Sequence, residues 1–149
     1  MPLNFPSTWP LEVRQRAGRL TVFDPARRRF VPLTPEEWVR QHLLAYLVND
    51  RGCPLSLTAV EYALTLDGRP FRADLVVHDR RGQPLLAAEC KEPGVTVGPA
   101  ALEQLAVYNR ALRARYLLVT NGLEHYCCAL DLPRQTHRFL DQLPRYGDL

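Results

Sequence analysis

The clearest pattern of hydrophobic and polar positions lies in the middle of the chain. From Thr58 to Leu66 apolar residues alternate with polar or small ones, which predicts a strand with one buried face. A second run, Phe71 to His78, follows the hairpin signal Asp67-Gly68. A third run extends from Pro84 to Lys91 after a turn rich in Arg and Gly. We therefore predict an antiparallel meander of three strands.

The third predicted strand is apolar on both faces. Its alternating residues are Leu86, Ala88 and Cys90 on one side and Leu85 and Ala87 on the other. This pattern is typical of a central strand that is covered on both sides. Glu89 and Lys91 point the same way at its end, and buried charges cost several kcal/mol each unless they are paired or bind a metal. The end of this strand is therefore a candidate functional site.

Two helical patterns flank the meander. The first begins with Thr34 as N-cap, Pro35 at the first helical position and Glu37 where a capping box requires it. Its predicted buried stripe is Val39, His42, Leu43, Tyr46 and Leu47, with His42 read as a core residue and not a ligand. The second helix is predicted over residues 100–114, with Leu102, Leu105, Asn109 and Leu112 along one side.

The two ends of the chain have weaker patterns. We expect residues 1–18 to form an irregular lead-in, followed by a hairpin whose loop carries Arg27, Arg28 and Arg29. These arginines either contact phosphates or form a solvated turn. Strands are predicted at Tyr116–Thr120, beside the meander, and at Tyr126–Leu130, with residues 131–149 as a tail. Together these elements predict a single α/β domain over residues 1–149, with a central mixed sheet flanked by helices.

Composition is that of an ordinary globular protein. The 149 residues are 46% hydrophobic and carry a formal net charge of +3, too mild to indicate a nucleic-acid binder by itself. No apolar run is long enough to span a membrane and no secretory signal is visible, so we expect a cytoplasmic protein without membrane contact. The four cysteines lack metal-ligand spacing and are interpreted as reduced core thiols.

One residue changes this picture. Of the 19 basic residues, 18 are arginine, and the single lysine is Lys91, beside Glu89. Arginine stays charged at any working pH, whereas lysine is a compact point charge whose pKa shifts readily on partial burial. Lys91 either takes part in chemistry or merely pairs with Glu89 or Glu92.

The order of these features resembles the PD-(D/E)XK nuclease superfamily, in which an Asp is followed across a strand connection by Glu-x-Lys. Asp74 on the second meander strand and Glu89-Cys90-Lys91 on the third match that motif, although Ala73 stands where the motif name has proline. More closely, the chain looks like the N-terminal endonuclease domain of type I restriction enzyme R subunits, in a short stand-alone form. The supporting segments, over roughly residues 20–130, are Phe23–Pro25, Leu33–His42, Arg72–Asp74, Glu89–Lys91, Gln104 with Tyr108-Asn109, and Thr120–Gly122.

The resemblance implies a metal-dependent site. Asp74, Glu89 and the Cys90 carbonyl would bind Mg²⁺ or Mn²⁺ through oxygen ligands, and Lys91 would orient the attacking water. Similar enzymes leave a 5′-phosphate and a 3′-hydroxyl. The structural alternatives are that Asp74 pairs with Arg72 or Arg69 and that Glu89 pairs with Lys91.

Further site residues follow from the same resemblance. Glu37 is a candidate helper at the metal site, although its capping position explains it equally well. Gln104 and Tyr108, four residues apart on one helix face, match a glutamine-tyrosine element that approaches the substrate strand, with packing as the alternative. Arg72, next to Asp74, is a candidate substrate contact, and Glu61 on the first meander strand is a weaker metal candidate.

We therefore expect a metal-dependent DNA endonuclease of restriction or DNA-processing type, with Asp74, Glu89, Lys91 and Gln104 as catalytic residues. The alternatives are a non-cleaving nucleic-acid-binding module that keeps the nuclease fold, and an assembly subunit without nucleic-acid contact. No glycine-rich phosphate loop is present, so ATP dependence or sequence specificity is expected to come from separate motor or specificity subunits. A homodimer is compatible with the sequence.

Overall fold

Two β-sheets and two helices make up the fold. The computed structural model describes residues 2–149. An N-terminal antiparallel sheet has the strands β1 Val13–Arg16, β2 Arg19–Asp24 and β3 Arg29–Pro32. Helix α1 (Pro35–Asn49) leads into β4 Thr58–Leu66, β5 Arg69–His78 and β6 Pro84–Cys90. Helix α2 (Pro99–Leu112) is followed by β7 Tyr116–Thr120, β8 His125–Asp131 and β9 Thr136–Leu140.

The six strands β4 to β9 form one mixed sheet in chain order. Strands β4, β5 and β6 are the predicted antiparallel meander. Strand β7 then pairs with β6 in parallel, with Leu86 opposite Tyr116 and Cys90 opposite Thr120. A parallel neighbour needs a crossover connection, and α2 provides it. The predicted α/β class, with a central mixed sheet flanked by helices, is confirmed.

The two helices cover opposite faces of strand β6. On one side Val39, Leu43 and Leu47 of α1 pack in a cluster with Leu86 and Ala88. On the other side, the cluster contains α2 residues and alternate strand residues, namely Leu102, Leu105, Leu112, Ala87 and Leu117. Leu86, Ala87 and Ala88 have no exposed surface. The double cover predicted from the apolar run is therefore present.

Helix α1 begins as its sequence predicts. Thr34 has an extended backbone, and its hydroxyl oxygen accepts a hydrogen bond from the Glu37 amide at 3.0 Å. On the buried stripe, His42 is half-buried and its Nδ1 lies 2.8 Å from the Trp38 carbonyl oxygen. Burial lowers the pKa of His42, as expected for a core histidine.

The ends of the chain contain more regular structure than predicted. Val13–Arg16, inside the expected irregular lead-in, is an edge strand with Val13 opposite Val22 of β2. Thr136–Leu140, inside the expected tail, pairs with β8. All four residues of the first segment and four of the five in the second are exposed. Neither strand buries a face, so neither has an alternating pattern, and main-chain hydrogen bonds to the neighbouring strand define them.

The cysteines behave as predicted. All four are buried free thiols, and burial raises the pKa of Cys53 to about 11 and that of Cys127 to about 12. They are therefore protonated at neutral pH. Within residues 2–149, neither helix combines the length and the apolar character needed to cross a membrane.

Candidate active site

Three acidic residues stand at one level of the central sheet. Paired residues Val60–Leu75 and Tyr62–Ala73 put Glu61 of β4 opposite Asp74 of β5, yet this one pair is missing from the ladder. The β5–β6 ladder ends at Leu75 and Ala88, so Asp74 and Glu89 occupy the next position. The meander therefore opens at the level of Glu61, Asp74 and Glu89, where side chains replace main-chain pairing.

The backbone of Glu61 explains the interruption in β4. Its φ is +51°, a left-handed conformation that a non-glycine residue adopts at a cost of about 1–3 kcal/mol. Such a residue cannot continue the ladder, and the strand is distorted where it meets Asp74. Backbone strain of this kind concentrates at functional sites.

Asp74 is held by two donors. Its Oδ2 accepts a hydrogen bond from the Cys90 amide at 2.7 Å, which joins the middle of β5 to the end of β6. Its Oδ1 lies 2.9 Å from Nη2 of Arg40 on α1. The expected alternative partners of Asp74 were Arg72 and Arg69, and the structure puts Arg40 there instead. The carboxylate is therefore fixed in place and 13% exposed.

Glu89 and Lys91 lie side by side at the end of β6. Lys91 Nζ is 3.3 Å from Glu89 Oε1, and both side chains are partly exposed. Burial and then the nearby negative charge of Asp74 raise the pKa of Glu89 to about 7, against the opposing effect of Lys91. The Lys91 amide donates to the Thr120 carbonyl oxygen at 2.8 Å, which anchors the residue beyond the end of the strand. Glu89 is thus subject to repulsion from the Asp74 carboxylate and attraction from the Lys91 amine.

Near this pair lies a network of arginines and carboxylates whose centre is buried. Arg40 is its centre, with Glu37 at 2.6 Å, Glu36 and Asp74 at 2.9 Å and Glu61 at 3.8 Å. Burial opposes the charge of Arg40, but Asp74 and Glu37 raise its pKa overall. We call this set the arginine–carboxylate network; its members are Arg27, Arg40, Arg72, Asp24, Glu36, Glu37, Glu61 and Asp74.

The two glutamates that open α1 have different surroundings. Glu37, the predicted helper, is buried and binds Arg27 at 2.9 Å, Arg40 at 2.6 Å and the Gln41 amide at 3.1 Å. Glu36 is half-exposed, and burial followed by the negative charge of Asp74 raises its pKa. Glu36 is therefore the more exposed of the two carboxylates, while Glu37 is buried between two arginines of the network.

A cleft of about 210 Å³ opens beside Glu89 and Lys91. Besides these two, its lining includes Phe71, Arg72, Gln104 and Tyr108, so all three predicted substrate contacts reach the same space as Glu89 and Lys91. The Phe71 and Tyr108 rings stack with centroids 4.3 Å apart and planes 30° apart. Gln104 and Arg72 are exposed. The cleft combines cations, an amide and aromatic rings next to a carboxylate.

The donor chemistry of this site suits a hard divalent cation. The side chains of Asp74 and Glu89 and the main-chain carbonyl of Cys90 offer oxygen only, the preference of Mg²⁺ and Mn²⁺. In formal charge, the arginine–carboxylate network has five carboxylates against three arginines, an excess of two negative charges, and the Glu89–Lys91 pair adds none. Within residues 2–149, however, no three His, Cys, Asp or Glu side chains converge as a ready-made ligand set.

Sequence reasoning missed Arg40 and Glu36. Both belong to the segment that carries the family resemblance, but helical periodicity assigns Arg40 no role. The available signal was spacing, because Glu36, Glu37 and Arg40 lie three and four apart and share one helix face. What the sequence lacked was the partner strand that brings Asp74 to this face.

The fold and the site together define a class: a mixed α/β protein with paired carboxylates and a lysine at the open end of a meander. A fragment assigned to the HsdR subunit of a type I restriction enzyme from Vibrio vulnificus YJ016 has a similar fold, with 21% identity and a TM-score of 0.55. The alignment covers 75% of this chain and 24% of that one, so the chain spans about a quarter of that structure. Among curated proteins no significant match was found.

Residues 35–144 match the family described as type I restriction enzyme R protein N terminus (HSDR_N). The chain belongs to this family. The match begins at the first residue of α1 and extends past β9, so it contains the whole central sheet and the candidate site. It leaves out the N-terminal sheet β1–β3.

Proposed function

We propose that the protein is a metal-dependent endonuclease that hydrolyses phosphodiester bonds in DNA. The observation that carries this proposal is the end of strand β6. Here Glu89 stands at the same level as Asp74, and its carboxylate pairs with Lys91, the only lysine of the chain. The family is consistent with a restriction nuclease role.

In this proposal Asp74, Glu89 and the Cys90 carbonyl hold Mg²⁺ or Mn²⁺. The bound cation supplies Lewis-acid chemistry, neutralising charge on the scissile phosphate and acidifying water. Glu36 is proposed to assist beside the predicted helper Glu37, since the Glu36 side chain is half-exposed while Glu37 is buried between Arg27 and Arg40. PD-(D/E)XK membership is part of the same proposal.

Lys91 is proposed to position the attacking water and stabilise developing negative charge. Its ammonium is partly exposed and is held toward the cleft by Glu89 at 3.3 Å. A positive charge there favours the oxyanion of the transition state. An arginine would keep the charge, but its planar fork occupies more space and cannot act as a compact donor.

Gln104, Tyr108 and Arg72 are proposed to bind the substrate strand, with Gln104 near enough to the reacting groups to act in catalysis. All three line the cleft with Glu89 and Lys91. Arg72 is 69% exposed and only loosely tied to Glu61, at 3.6 Å, so its guanidinium is free to meet a phosphate. The Phe71–Tyr108 pair offers ring surface on which a base can stack.

The second candidate is a non-cleaving nucleic-acid-binding module with the nuclease fold. One observation favours it: both Asp74 oxygens already have donors, Arg40 and the Cys90 amide. If Asp74 serves only to bind Arg40, the same residues form a structural ion pair. An octahedral cation would have to share Oδ1 with Arg40 or displace it.

The experiment is a cleavage assay on supercoiled, linear and single-stranded DNA with Mg²⁺ or Mn²⁺. We expect cleavage by the native chain that EDTA, Asp74→Ala and Lys91→Ala abolish, and we expect Lys91→Arg to be impaired as well. Equal inertness of the native chain and every variant, also after addition of motor or specificity subunits, would support the binding module.

DNA and separate motor or specificity subunits are the proposed partners, in the cytoplasm. A homodimer is also proposed. Sedimentation of the purified chain tests the homodimer, and sedimentation with duplex DNA tests DNA binding.

A further inference from the structure

The N-terminal sheet has a charge unlike that of the rest of the molecule. Residues 13–32 contain six arginines and one aspartate, a formal net charge of +5. The whole chain has a formal net charge of +3, so the remaining residues carry −2. The excess positive charge of the protein is therefore concentrated in 20 consecutive residues that lie outside the family match.

Most of this charge faces solvent. Five of the six arginines are exposed: Arg14, Arg16, Arg19, Arg28 and Arg29. Arg27 is the exception, because it turns inward to Asp24, Glu37 and Glu61. Asp24 is fully buried against Arg27 and its own loop amides, so it does not neutralise the surface. Of the three arginines at the β2–β3 turn, Arg27 therefore belongs to the arginine–carboxylate network, while Arg28 and Arg29 are exposed to solvent.

On the outer face of the N-terminal sheet, three arginines lie next to one another beside an aromatic ring. Side chains two apart on a strand share a face, and the guanidinium carbons of Arg14 and Arg16 lie 4.9 and 5.0 Å from the centroid of the Phe30 ring. Phe30 in turn packs edge-on against Phe23, with centroids 5.3 Å apart. Across the hairpin, Arg19 is opposite Arg16. We call Arg14, Arg16 and Arg19 with Phe30 the arginine face.

Few carboxylates compensate this face. Arg14 has Glu12 at 2.8 Å. Within the described residues 2–149, Arg16, Arg19, Arg28 and Arg29 have no carboxylate at salt-bridge distance. Arg16 and Arg19 are directly opposite each other, and like charges in that arrangement generally destabilise a sheet. A bound anion would reduce the repulsion between them.

We propose that the arginine face binds the phosphodiester backbone of a nucleic acid, as a contact surface separate from the catalytic cleft. Guanidinium groups bind phosphate oxygens bidentately, and stacking on Phe30 orients two of them before the ligand arrives. Neighbouring arginines without base-reading geometry fit a sequence-independent backbone contact. This surface goes beyond the proposed hydrolysis and binds whether or not the cleft cleaves.

The test is a binding titration with the full chain in EDTA, so that no turnover occurs. The probes are labelled duplex DNA, single-stranded DNA and RNA, and a polyglutamate of similar length as a protein-like anion. The triple variant Arg14→Gln, Arg16→Gln, Arg19→Gln removes the face. Its control is Arg80→Gln, Arg81→Gln, Arg138→Gln, which removes three exposed arginines elsewhere and changes the net charge equally. A triple lysine variant of the face keeps the charge, and thermal unfolding checks that each variant folds.

We expect the glutamine variant of the face to lose about tenfold or more in nucleic-acid affinity at low salt. Its slope of log affinity against log salt for duplex DNA should fall by about 2–3, the value for three lost phosphate contacts. The control triple should keep the native slope, and the lysine variant should retain most of the binding. The duplex, single-stranded and RNA arms show which backbone is preferred.

Two outcomes would overturn the proposal. Equal losses in the face variant and the control would mean that net charge alone attracts nucleic acid. Unchanged nucleic-acid binding with loss of polyglutamate binding would assign the face to an acidic protein partner. Because all arms are read without metal, inertness of the chain in the cleavage assay leaves this test unaffected.

Discussion

The central sheet and the N-terminal sheet use the same residue, arginine, in opposite ways. Arg40 is 7% exposed and contacts four carboxylates, one of which is Asp74. Arg16 and Arg19 are exposed, opposite each other and close to no carboxylate of the described chain. Where arginine is buried and paired it positions other groups, and where it is exposed and unpaired it is available to a ligand.

This difference also separates stability from function. Burying a charge costs several kcal/mol, which good partners offset, so removing one partner exposes the whole cost. Removing an exposed arginine changes the free energy of unfolding little, since surface ion pairs contribute only about 0–1 kcal/mol. The central network should therefore respond to substitution in unfolding experiments, and the arginine face in binding experiments.

The largest expected effect is the loss of stability when Arg40 is substituted. Arg40→Ala should lower the free energy of unfolding by about 3–5 kcal/mol, because Glu37 and Asp74 then lose a buried partner. Chemical denaturation measures it. The matched control is Arg72→Ala, which removes a mostly exposed arginine of the same network and should change stability by less than about 0.5 kcal/mol. Equal losses in both variants would contradict the distinction between buried and exposed arginines.

The next largest effect is expected on DNA binding, at the aromatic pair that lines the cleft. Tyr108→Leu should weaken single-stranded DNA binding by about 1–3 kcal/mol, the value of one stacked base, and Tyr108→Phe should preserve it. Fluorescence anisotropy in EDTA measures both. If Tyr108→Leu binds normally and is only less stable, the Phe71–Tyr108 contact is packing between β5 and α2.

A smaller effect is a gain in stability, whereas most substitutions cause a loss. Arg19→Glu replaces a like-charge pair with Arg16 by an opposite-charge pair and should stabilise the protein by about 0.2–1 kcal/mol. The same substitution should weaken nucleic-acid binding. Thermal unfolding and the salt-dependent titration would be run on the same preparation. A destabilised Arg19→Glu variant would show that the native side chain has a structural role.

The smallest effect is a pH dependence inside the central body. Burial lowers the pKa of His42 below its ordinary value of 6.5, so the unfolded state takes up this proton first as the pH falls. Stability from His42 is present above that value and is lost as the pH drops through 6.5 and below. Glu89 acts in the opposite direction, because its raised pKa lets the folded state bind a proton first.

The comparison of native chain and His42→Gln isolates the histidine. As the pH falls from 7.5 to 5, the free energy of unfolding of the variant should rise relative to that of the native chain, because Glu89 contributes equally to both and only the native chain loses stability through His42. Parallel curves would mean that His42 does not titrate differently in the folded and unfolded states.

Several features were predictable because they repeat along the chain. The meander, both helices and the strand β7 beside the meander follow from apolar periodicity and turn residues, and Thr34 caps α1 as predicted. Asp74, Glu89 and Lys91 stood out because charged residues interrupt runs that should be buried. Strands β1 and β9 were not predicted, because their residues are exposed on both faces and therefore show no alternation of apolar and polar positions.

The partners within the site were not predictable. The sequence shows Glu36, Glu37 and Arg40 on one helix face, but only the fold brings Asp74 to Arg40 and turns Glu37 toward Arg27. The strands separate at the level of Asp74 and Glu89, as the left-handed backbone of Glu61 and the end of the β5–β6 ladder show. Long-range contacts of this kind leave no local pattern.

The central claim is that Asp74 and Glu89 form a cation site beside Lys91, and calorimetric titration with Mn²⁺ tests it most directly. We predict one site in the native chain, lost in Asp74→Ala and Glu89→Gln but kept in Lys91→Ala, whose side chain is not a ligand. No uptake of Mn²⁺ by the folded native chain, or equal uptake by all four proteins, would contradict the account and leave Asp74 as the structural partner of Arg40.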